Sequence, residues 1–233
     1  MPRTGRARDG RAGGLAAGTD GHYRWVALAN TTAAVFMSAL DGSIVIIALP
    51  AIFRGIHLDP LAPGNVVYLL WMIMGYRLVQ AVLVVTVGRL GDMFGRVKIY
   101  NAGFVVFTAA SILLSFDPFL GSHGALWLIG WRVPQAIGGS MLTANSAAIL
   151  TDAFPADQRG FALGTNQVAA LAGQFIGLVA GGVLAALDWR AVFWVNVPIV
   201  MPMRTALRPI AKVTLPHQSM RAGCRSPLSR SLR

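Results

Sequence analysis

Five long runs of apolar residues dominate this sequence and limit what it can fold into. The runs cover residues 25–49, 66–87, 99–116, 124–150 and 161–187. An α-helix rises 1.5 Å per residue, so about 17 to 25 such residues cross a hydrocarbon core that is about 30 Å thick. The connections between the runs are short, which makes consecutive helices antiparallel neighbours. The pattern predicts an all-α polytopic membrane protein with five complete spans.

The composition supports a bilayer location and explains the positive charge. Hydrophobic residues make up 55% of the chain and charged residues 12%, while the formal net charge is +11. With the N-terminus inside, nine basic residues before residue 191 fall on the cytoplasmic side and two, Arg54 and Arg190, fall outside. Positive residues are retained on the cytoplasmic side of short loops. We therefore expect a multi-pass protein of the cell membrane with a cytoplasmic N-terminus and no nucleic-acid partner.

The two ends of the chain differ from the five runs. Residues 1–24 are rich in Gly, Ala and Arg and lack apolar periodicity, which predicts a disordered basic tail. Residues 191–203 are apolar but reach only about 20 Å as a helix, which predicts a partial sixth span. Residues 204–233 turn abruptly basic and polar, and they look unrelated to what precedes them. We expect one membrane domain over residues 25–203 in a truncated chain.

The connection between the second and third runs, GRLGDMFGRVK at residues 88–98, is rich in glycine. Its three glycines, Gly88, Gly91 and Gly95, permit tight backbone geometry and close helix approach. The pattern Gly-x-Leu-Gly-Asp-x-x-Gly-Arg-x-Lys resembles the signature loop of the major facilitator superfamily. The resemblance implies that Asp92 and Arg96 belong to a cytoplasmic gate. From the residues alone, helix capping and topology are equally good roles for them.

Four further stretches resemble the same superfamily, in particular the N-terminal half of its fourteen-span drug:proton antiporter branch. They are LDGSIVIIALP at 40–50, WRVPQAIGGS at 131–140, a glycine series in the fifth run, and DWRAVFWVNVP at 188–198. The glycine series comprises Gly173, Gly177, Gly181 and Gly182. Its resemblance to the antiporter motif implies a flexing helix that controls leak, whereas its spacing alone indicates close helix packing.

Ionisable residues inside spans are costly to bury and mark a functional site by default. Asp41 lies about 13 Å below Pro50, and Arg132 about 12 Å below Gly124, so their depths match. In this superfamily the first and fourth spans both line the central cavity, and we expect Asp41 and Arg132 to approach each other there, with Gln135 at a second polar position of the fourth-span motif. Two interpretations remain open: protonation of Asp41 switches the pair, or a permanent ion pair fixes the packing.

Arg77 is a second arginine at nearly the same depth, about 16 Å below Val66. Two arginines against one aspartate leave the core of the domain formally positive. This favours an anionic substrate, or a carboxylate from a second half, over a lone organic cation. The alternative is that Arg77 faces polar groups at a helix interface.

The resemblance implies a secondary transporter that couples efflux of a small molecule or drug to protons by alternating access. Its expected partners are the lipid bilayer, the substrate and protons. A different class also remains open: a non-transporting truncated product, or a half-transporter subunit that needs a second half. The sequence has no P-loop, nucleophile elbow or metal-ligand spacing. We therefore predict no enzymatic activity, no cofactor and no metal site.

Overall fold

The computed structural model describes residues 9–197, with side chains from Tyr23 onward. This part of the chain is all-α, as expected, and contains no β-strand. The helices are α1 Asp9–Gly55, α2 Val66–Phe94, α3 Arg96–Ser115, α4 Gly121–Ala153, α5 Arg159–Leu187 and α6 Ala191–Trp194. The predictions for residues 1–8 and 198–233 lie outside the described residues.

The first helix is longer than the first apolar run at both ends. It comprises 47 residues, begins at Asp9 within the predicted tail, and continues through Pro50 to Gly55. Alanine and leucine in the stretch LAAG favour helix over coil before the apolar run. A proline inside a membrane helix is tolerated where neighbouring groups satisfy the backbone that it frees. The first connection therefore begins at residue 56 rather than at Pro50.

The glycine-rich connection is almost entirely helical. Residues 88–94 complete α2 and residues 96–98 begin α3, so Gly95 is the single residue between the two helices. Its φ of 100° lies in the left-handed region that glycine adopts without a steric penalty. Up to Gly95 each helix continues to satisfy its own backbone N–H and C=O groups, and the Gly95 N–H closes the end of α2 on the Gly91 carbonyl at 2.9 Å. The predicted loop is therefore reduced to one residue.

Within the described residues, four helices are long and apolar enough to cross a membrane, namely α1 from Tyr23, α2, α3 and α5. The fourth predicted span, α4, is not among them, although its 33 residues extend about 50 Å. Arg132, Gln135 and Asn145 are among the polar residues of α4, and all three are buried against other helices. Helix α4 is therefore long enough to be the expected fourth span, but it is less apolar than the other four helices.

Helix α4 lies at the centre of the helix packing, in contact with α1, α2 and α3, while α1 also packs along α5. The buried apolar side chains form two main clusters. One contains Ile44, Leu128 and Phe193, and the other contains Met37, Phe107 and Leu142, among others. Along α3 and α4 a group of buried polar residues separates the two clusters, and it forms the site described next.

Candidate functional site

A buried carboxylate lies at the centre of the group of buried polar residues between the two apolar clusters. Asp41, in α1, is 0% exposed. Its Oδ2 accepts a hydrogen bond from Arg132 Nη1 at 2.9 Å, which is also an ion pair, and its Oδ1 accepts one from Gln135 Nε2 at 3.0 Å. Arg132 and Gln135 are three residues apart on α4 and so share one helix face. The structure thus brings these three predicted residues into one buried group.

Two residues that the sequence analysis did not single out complete the group. Asn196, two residues beyond α6, donates from Nδ2 to Asp41 Oδ1 at 2.7 Å and lies 3.5 Å from Ser111 Oγ. Ser111 Oγ also accepts from Gln135 Nε2 at 2.9 Å and donates its own proton to the Phe107 carbonyl at 2.9 Å. We call Asp41, Ser111, Arg132, Gln135 and Asn196 the Asp41 cluster. It joins α1, α3, α4 and the segment after α6.

The Arg132 guanidinium is 3% exposed, and its charge is shared among three neighbours. Besides Asp41, Nη1 donates to Gln135 Oε1 at 2.6 Å, and the guanidinium carbon lies 4.2 Å from the centre of the Tyr76 ring. A cation over an aromatic face is stabilised by the quadrupole of the ring. Within the described part of the chain, Arg132 Nε and Asn196 Oδ1 have no hydrogen-bond partner. Both oxygens of the Asp41 carboxylate therefore have hydrogen-bond partners, whereas Arg132 and Asn196 each keep one polar atom without a partner.

Arg77, the fourth predicted cavity residue, lies apart from the Asp41 cluster. Its side chain is exposed and lines an open cavity of about 680 Å³ between α1, α2, α4 and α5. The guanidinium lies against Gly42, where a Cβ atom would come within 2.9 Å of its Nη2. Among residues 23–197, the ion pairs involve only Arg96 and Arg132, so Arg77 has no acidic partner there. The site therefore contains one neutralised arginine and one free arginine.

Arg96 links three helices at the end opposite to the α1–α2 connection. It forms ion pairs with Asp92 at 2.8 Å and with Asp152 at 2.6 Å, and it donates to the Ala148 carbonyl at 3.1 Å. Asp92 is the α2 residue four positions earlier, and Asp152 lies in the last turn of α4. Gly91, one turn before the α2 end, packs so closely on Asn145 of α4 that no Cβ would fit. Gly88 has open space around it.

Three of the four fifth-span glycines face α1. A Cβ at Gly173 would clash with the Phe36 carbonyl, one at Gly177 would clash with Ser43 Oγ, and one at Gly181 would lie 2.6 Å from the Ile44 carbonyl. Glycines four residues apart share one helix face, which lets the backbones of α1 and α5 approach closely. Gly182 lies off this face, because a Cβ atom added there would be 3.9 Å from its nearest neighbour, the Ile47 side chain. The close contact passes alongside Asp41 on α1.

Comparison with known families identifies the chain. The sequence model of the Major Facilitator Superfamily matches residues 31–224, which is most of the chain and includes part of the polar segment after residue 203. The chain belongs to the Major Facilitator Superfamily. It is accordingly a multi-pass membrane protein of a transporter family.

Several curated relatives of this major facilitator chain are transport or efflux proteins. It is 33% identical over 198 residues to the riboflavin transporter RibZ of Clostridioides difficile, which covers 84% of this chain and 41% of RibZ. It is 33% identical over 181 residues to the multidrug efflux pump LfrA of Mycolicibacterium smegmatis, covering 77% of this chain and 34% of LfrA. The tetracenomycin C resistance and export protein of Streptomyces glaucescens is 31% identical over 176 residues, which is 75% of this chain and 31% of that protein. The chain thus spans about a third to two fifths of their length.

Sequence reasoning missed four contributors to the networks of this major facilitator chain, namely Tyr76, Ser111, Asp152 and Asn196. Asn196 carried a usable signal, because it is a polar residue in an otherwise apolar stretch that resembles a family motif. Asp152 lies three residues before Pro155, where an aspartate is typical of a turn, so the sequence gives no sign of its ion pair with Arg96. Ser111 and Tyr76 are ordinary helix residues in sequence, and only the packing of α2 and α3 on α4 shows what they contact.

Proposed function

We propose that this chain forms the N-terminal half of a proton-coupled exporter of small molecules, with Asp41 as the group that binds the coupling proton. The observation that carries the proposal is the completely buried Asp41 carboxylate, held by Arg132, Gln135 and Asn196 from two other parts of the chain. A buried ionisable residue in a span is costly and is retained where it serves a pathway for ions or protons. The names of LfrA and of the tetracenomycin C export protein support the direction, which is export.

The charges of the Asp41 cluster support a switch between two states. When a proton binds Asp41, the carboxylate becomes a neutral acid and the charge of Arg132 loses its counter-charge. Protonation thus changes the preferred partner of Arg132, and differential stabilisation of two arrangements is what shifts a conformational equilibrium.

A polar route leads from the open cavity toward this switch. Ser38 and Gln80 line the cavity and are hydrogen-bonded to each other at 3.4 Å. The Tyr76 hydroxyl, Gln80 Nε2 and Ser38 Oγ meet beside Gly139. All three atoms lie 3.1 to 3.5 Å from the position that a Cβ atom would take at residue 139. The ring of the same tyrosine lies against Arg132. We propose that protons reach Asp41 along this side of α1 and α2.

The orientation and the gate follow from the positions of charge. We propose that the N-terminus is cytoplasmic, because the basic residues Arg89, Arg96, Lys98 and Arg159 gather at one end of the bundle and Arg54 and Arg190 at the other. The Arg96 network then lies on the cytoplasmic side. There it holds the ends of α2, α3 and α4 together as one wall of a gate.

The test is proton-gradient-driven flux in proteoliposomes that contain only this chain. The compounds are riboflavin, tetracenomycin C and a panel of anionic and cationic amphipathic dyes. The variants are Asp41→Asn and the exposed control Asp59→Asn. We expect flux in the wild type and in Asp59→Asn. In Asp41→Asn, gradient-driven flux falls to the level of empty vesicles while gradient-independent substrate exchange persists. Unchanged gradient-driven flux in Asp41→Asn would remove Asp41 from the coupling role.

A second candidate function is a half-transporter subunit that works only with a partner half. The exposed apolar faces of α2 and α5, with Trp71, Val82, Val179 and Val183 among them, favour it. Alternating access uses two halves that rock around one site. Absence of flux with every compound, from well-folded protein, would support this second function. Gain of flux on co-reconstitution with the C-terminal half of LfrA would then establish it.

A further inference from the structure

The open cavity has one cation and an otherwise neutral wall. Val35, Val84 and Leu163 are among the apolar residues that line it, and its polar residues besides Arg77 are Ser38, Gln80, Thr143, Asn166, Gln167 and Gln174. None of the described lining residues is acidic. The volume of about 680 Å³ lies in the range of small-molecule sites. Charge, hydroxyl and amide groups, and apolar surface are thus all available to one ligand.

The position of Arg77 distinguishes it from an arginine with a structural role. Arg132 is buried and paired with Asp41, whereas Arg77 is exposed to the cavity and has no acidic partner among the described residues. Its guanidinium lies over Gly42, and any side chain at residue 42 would displace it. Asp41, the residue before Gly42, is already paired with Arg132. An unpaired guanidinium at a partly enclosed site offers two parallel N–H donors that match a carboxylate.

A neighbouring amide adds a second polar contact. Asn166 of α5 is 8% exposed and lines the same cavity, and its Oδ1 has no hydrogen-bond partner within the described part of the chain. Because this oxygen is itself buried, a ligand with a hydroxyl or N–H group reaches it once the Asn166 amide rotates toward the cavity, which places an acceptor beside the cation. The apolar wall accommodates a ring system.

We propose that Arg77 is the anion-binding group of this cavity and that the ligand is an amphipathic small molecule bearing a carboxylate or a comparable acidic group. The proposal deepens the proposed transport function by naming its substrate class. It is nevertheless tested by binding at equilibrium, which requires neither a proton gradient nor flux.

The probes are three dansyl compounds of similar size that differ in charge: dansylglycine, dansylglycinamide and dansylcadaverine, which are anionic, neutral and cationic. Binding is measured by dansyl fluorescence polarisation on the full chain in phosphatidylcholine nanodiscs, with empty nanodiscs subtracted. The variants are Arg77→Gln, Arg77→Lys and Arg77→Glu. Arg54→Gln is the matched control, because it removes an exposed arginine that does not line the cavity.

We expect the wild type and Arg54→Gln to bind dansylglycine about tenfold more tightly than dansylglycinamide, the effect of one charge-assisted contact. Arg77→Gln brings the two affinities within about twofold, and Arg77→Lys keeps part of the preference because the charge remains. Arg77→Glu reverses the order and favours dansylcadaverine. This reversal is a gain of binding, so loss of folded protein cannot imitate it.

Two results would overturn the proposal: no preference for the anion in the wild type, or a preference that persists in Arg77→Gln. The first would show that Arg77 does not bind an anion in this cavity, and the second that another cation binds the probe. Failure of the transport proposal looks different. In that case flux is absent or independent of Asp41, while the charge preference and its dependence on Arg77 remain.

Discussion

Two of the three arginine–aspartate ion pairs in the described part of the chain have similar lengths but opposite surroundings. Arg132 and Asp41 meet at 2.9 Å with their side chains 3% and 0% exposed, whereas Arg96 and Asp152 meet at 2.6 Å with 31% and 66% exposed. The shorter pair is not the stronger determinant of stability. Water screens the exposed charges and competes for their hydrogen bonds, while the buried charges have only the protein to solvate them. A short distance therefore says less about an ion pair than its burial does.

The largest effect is expected from breaking the buried pair on one side only. Arg132→Gln leaves the Asp41 carboxylate buried without its cation, and Asp41→Asn leaves the guanidinium without its anion. Each single change should lower the free energy of unfolding by about 3 to 5 kcal/mol. The double variant removes both charges and should cost much less than the sum. Reversible unfolding in mixed detergent micelles measures this cycle, and additive losses would show that the two residues do not act as a pair.

A smaller loss is expected from removing the third donor of the Asp41 cluster. Asn196→Ala deprives Asp41 Oδ1 of its 2.7 Å hydrogen bond but leaves the ion pair intact. The cost should be about 1 to 3 kcal/mol in the same unfolding assay, because a buried carboxylate loses a partner. Asn101→Ala, at a half-buried asparagine on α3, is the matched control and should change stability by about 0.5 kcal/mol or less. Equal losses in the two variants would contradict a specific role for Asn196.

A third aspartate, Asp117, combines burial with the absence of an ion pair and so separates the two factors. It lies in the α3–α4 connection and is 5% exposed; burial raises its pKa, against the lowering effects of the Phe119 N–H and Arg190. A raised native pKa means that the folded state holds the proton more tightly than the unfolded state. Stability from this group is therefore complete below the unfolded pKa and falls as pH rises toward the native pKa.

The measurement for Asp117 is thermal unfolding across the acidic range, starting below the ordinary aspartate value of 3.8. Asp117→Asn should remove this component of the pH dependence, because asparagine does not titrate. Asp157→Asn, at an exposed site in the α4–α5 connection, should leave it in place. An unchanged pH profile in Asp117→Asn would show that burial does not control this carboxyl.

The smallest effect is expected at the exposed pair. Asp152→Asn should lower the free energy of unfolding by about 0.2 to 1 kcal/mol at low salt, and the loss should shrink as salt is added. The loss for Arg132→Gln should change little with salt, because the buried pair is shielded from ions. Titrating both variants with sodium chloride in one assay compares the two surroundings directly. A loss for Asp152→Asn as large as that for Arg132→Gln would contradict the ranking by burial.

The depth of a residue along its helix can be predicted from the sequence, and this depth predicted that Asp41 and Arg132 approach each other. Counting residues from Pro50 and Gly124 placed Asp41 and Arg132 at one level, and antiparallel neighbours at one level can meet. The spacing of Gly173, Gly177 and Gly181 likewise predicted a close helix contact, which the structure places against α1. Both inferences depend only on helical rise and periodicity, which are properties of single helices.

Rotation of a helix about its axis could not be predicted in the same way. Ser111 and Tyr76 are part of the site because α3 and α2 turn those faces toward α4, and no local pattern specifies that. The glycines and charges at residues 88–98 predict a connection between two apolar runs, yet residues 88–94 continue α2 to its end and only Gly95 lies between the helices. The sequence predicts a similar depth for Arg77, but its lack of an acidic partner among residues 23–197 emerged only from the structure.

Gly95 has a consequence for how the molecule sits in bilayers of different thickness. A helix pair meets hydrophobic mismatch by tilting or by sliding its ends relative to the lipid surface. With one residue between them, α2 and α3 cannot slide relative to each other at this end, whereas residues 56–65 give the other end of α2 a long connection. We therefore expect α2 and α3 to keep one level relative to each other at the Gly95 side when bilayer thickness changes, while their other ends take up the difference.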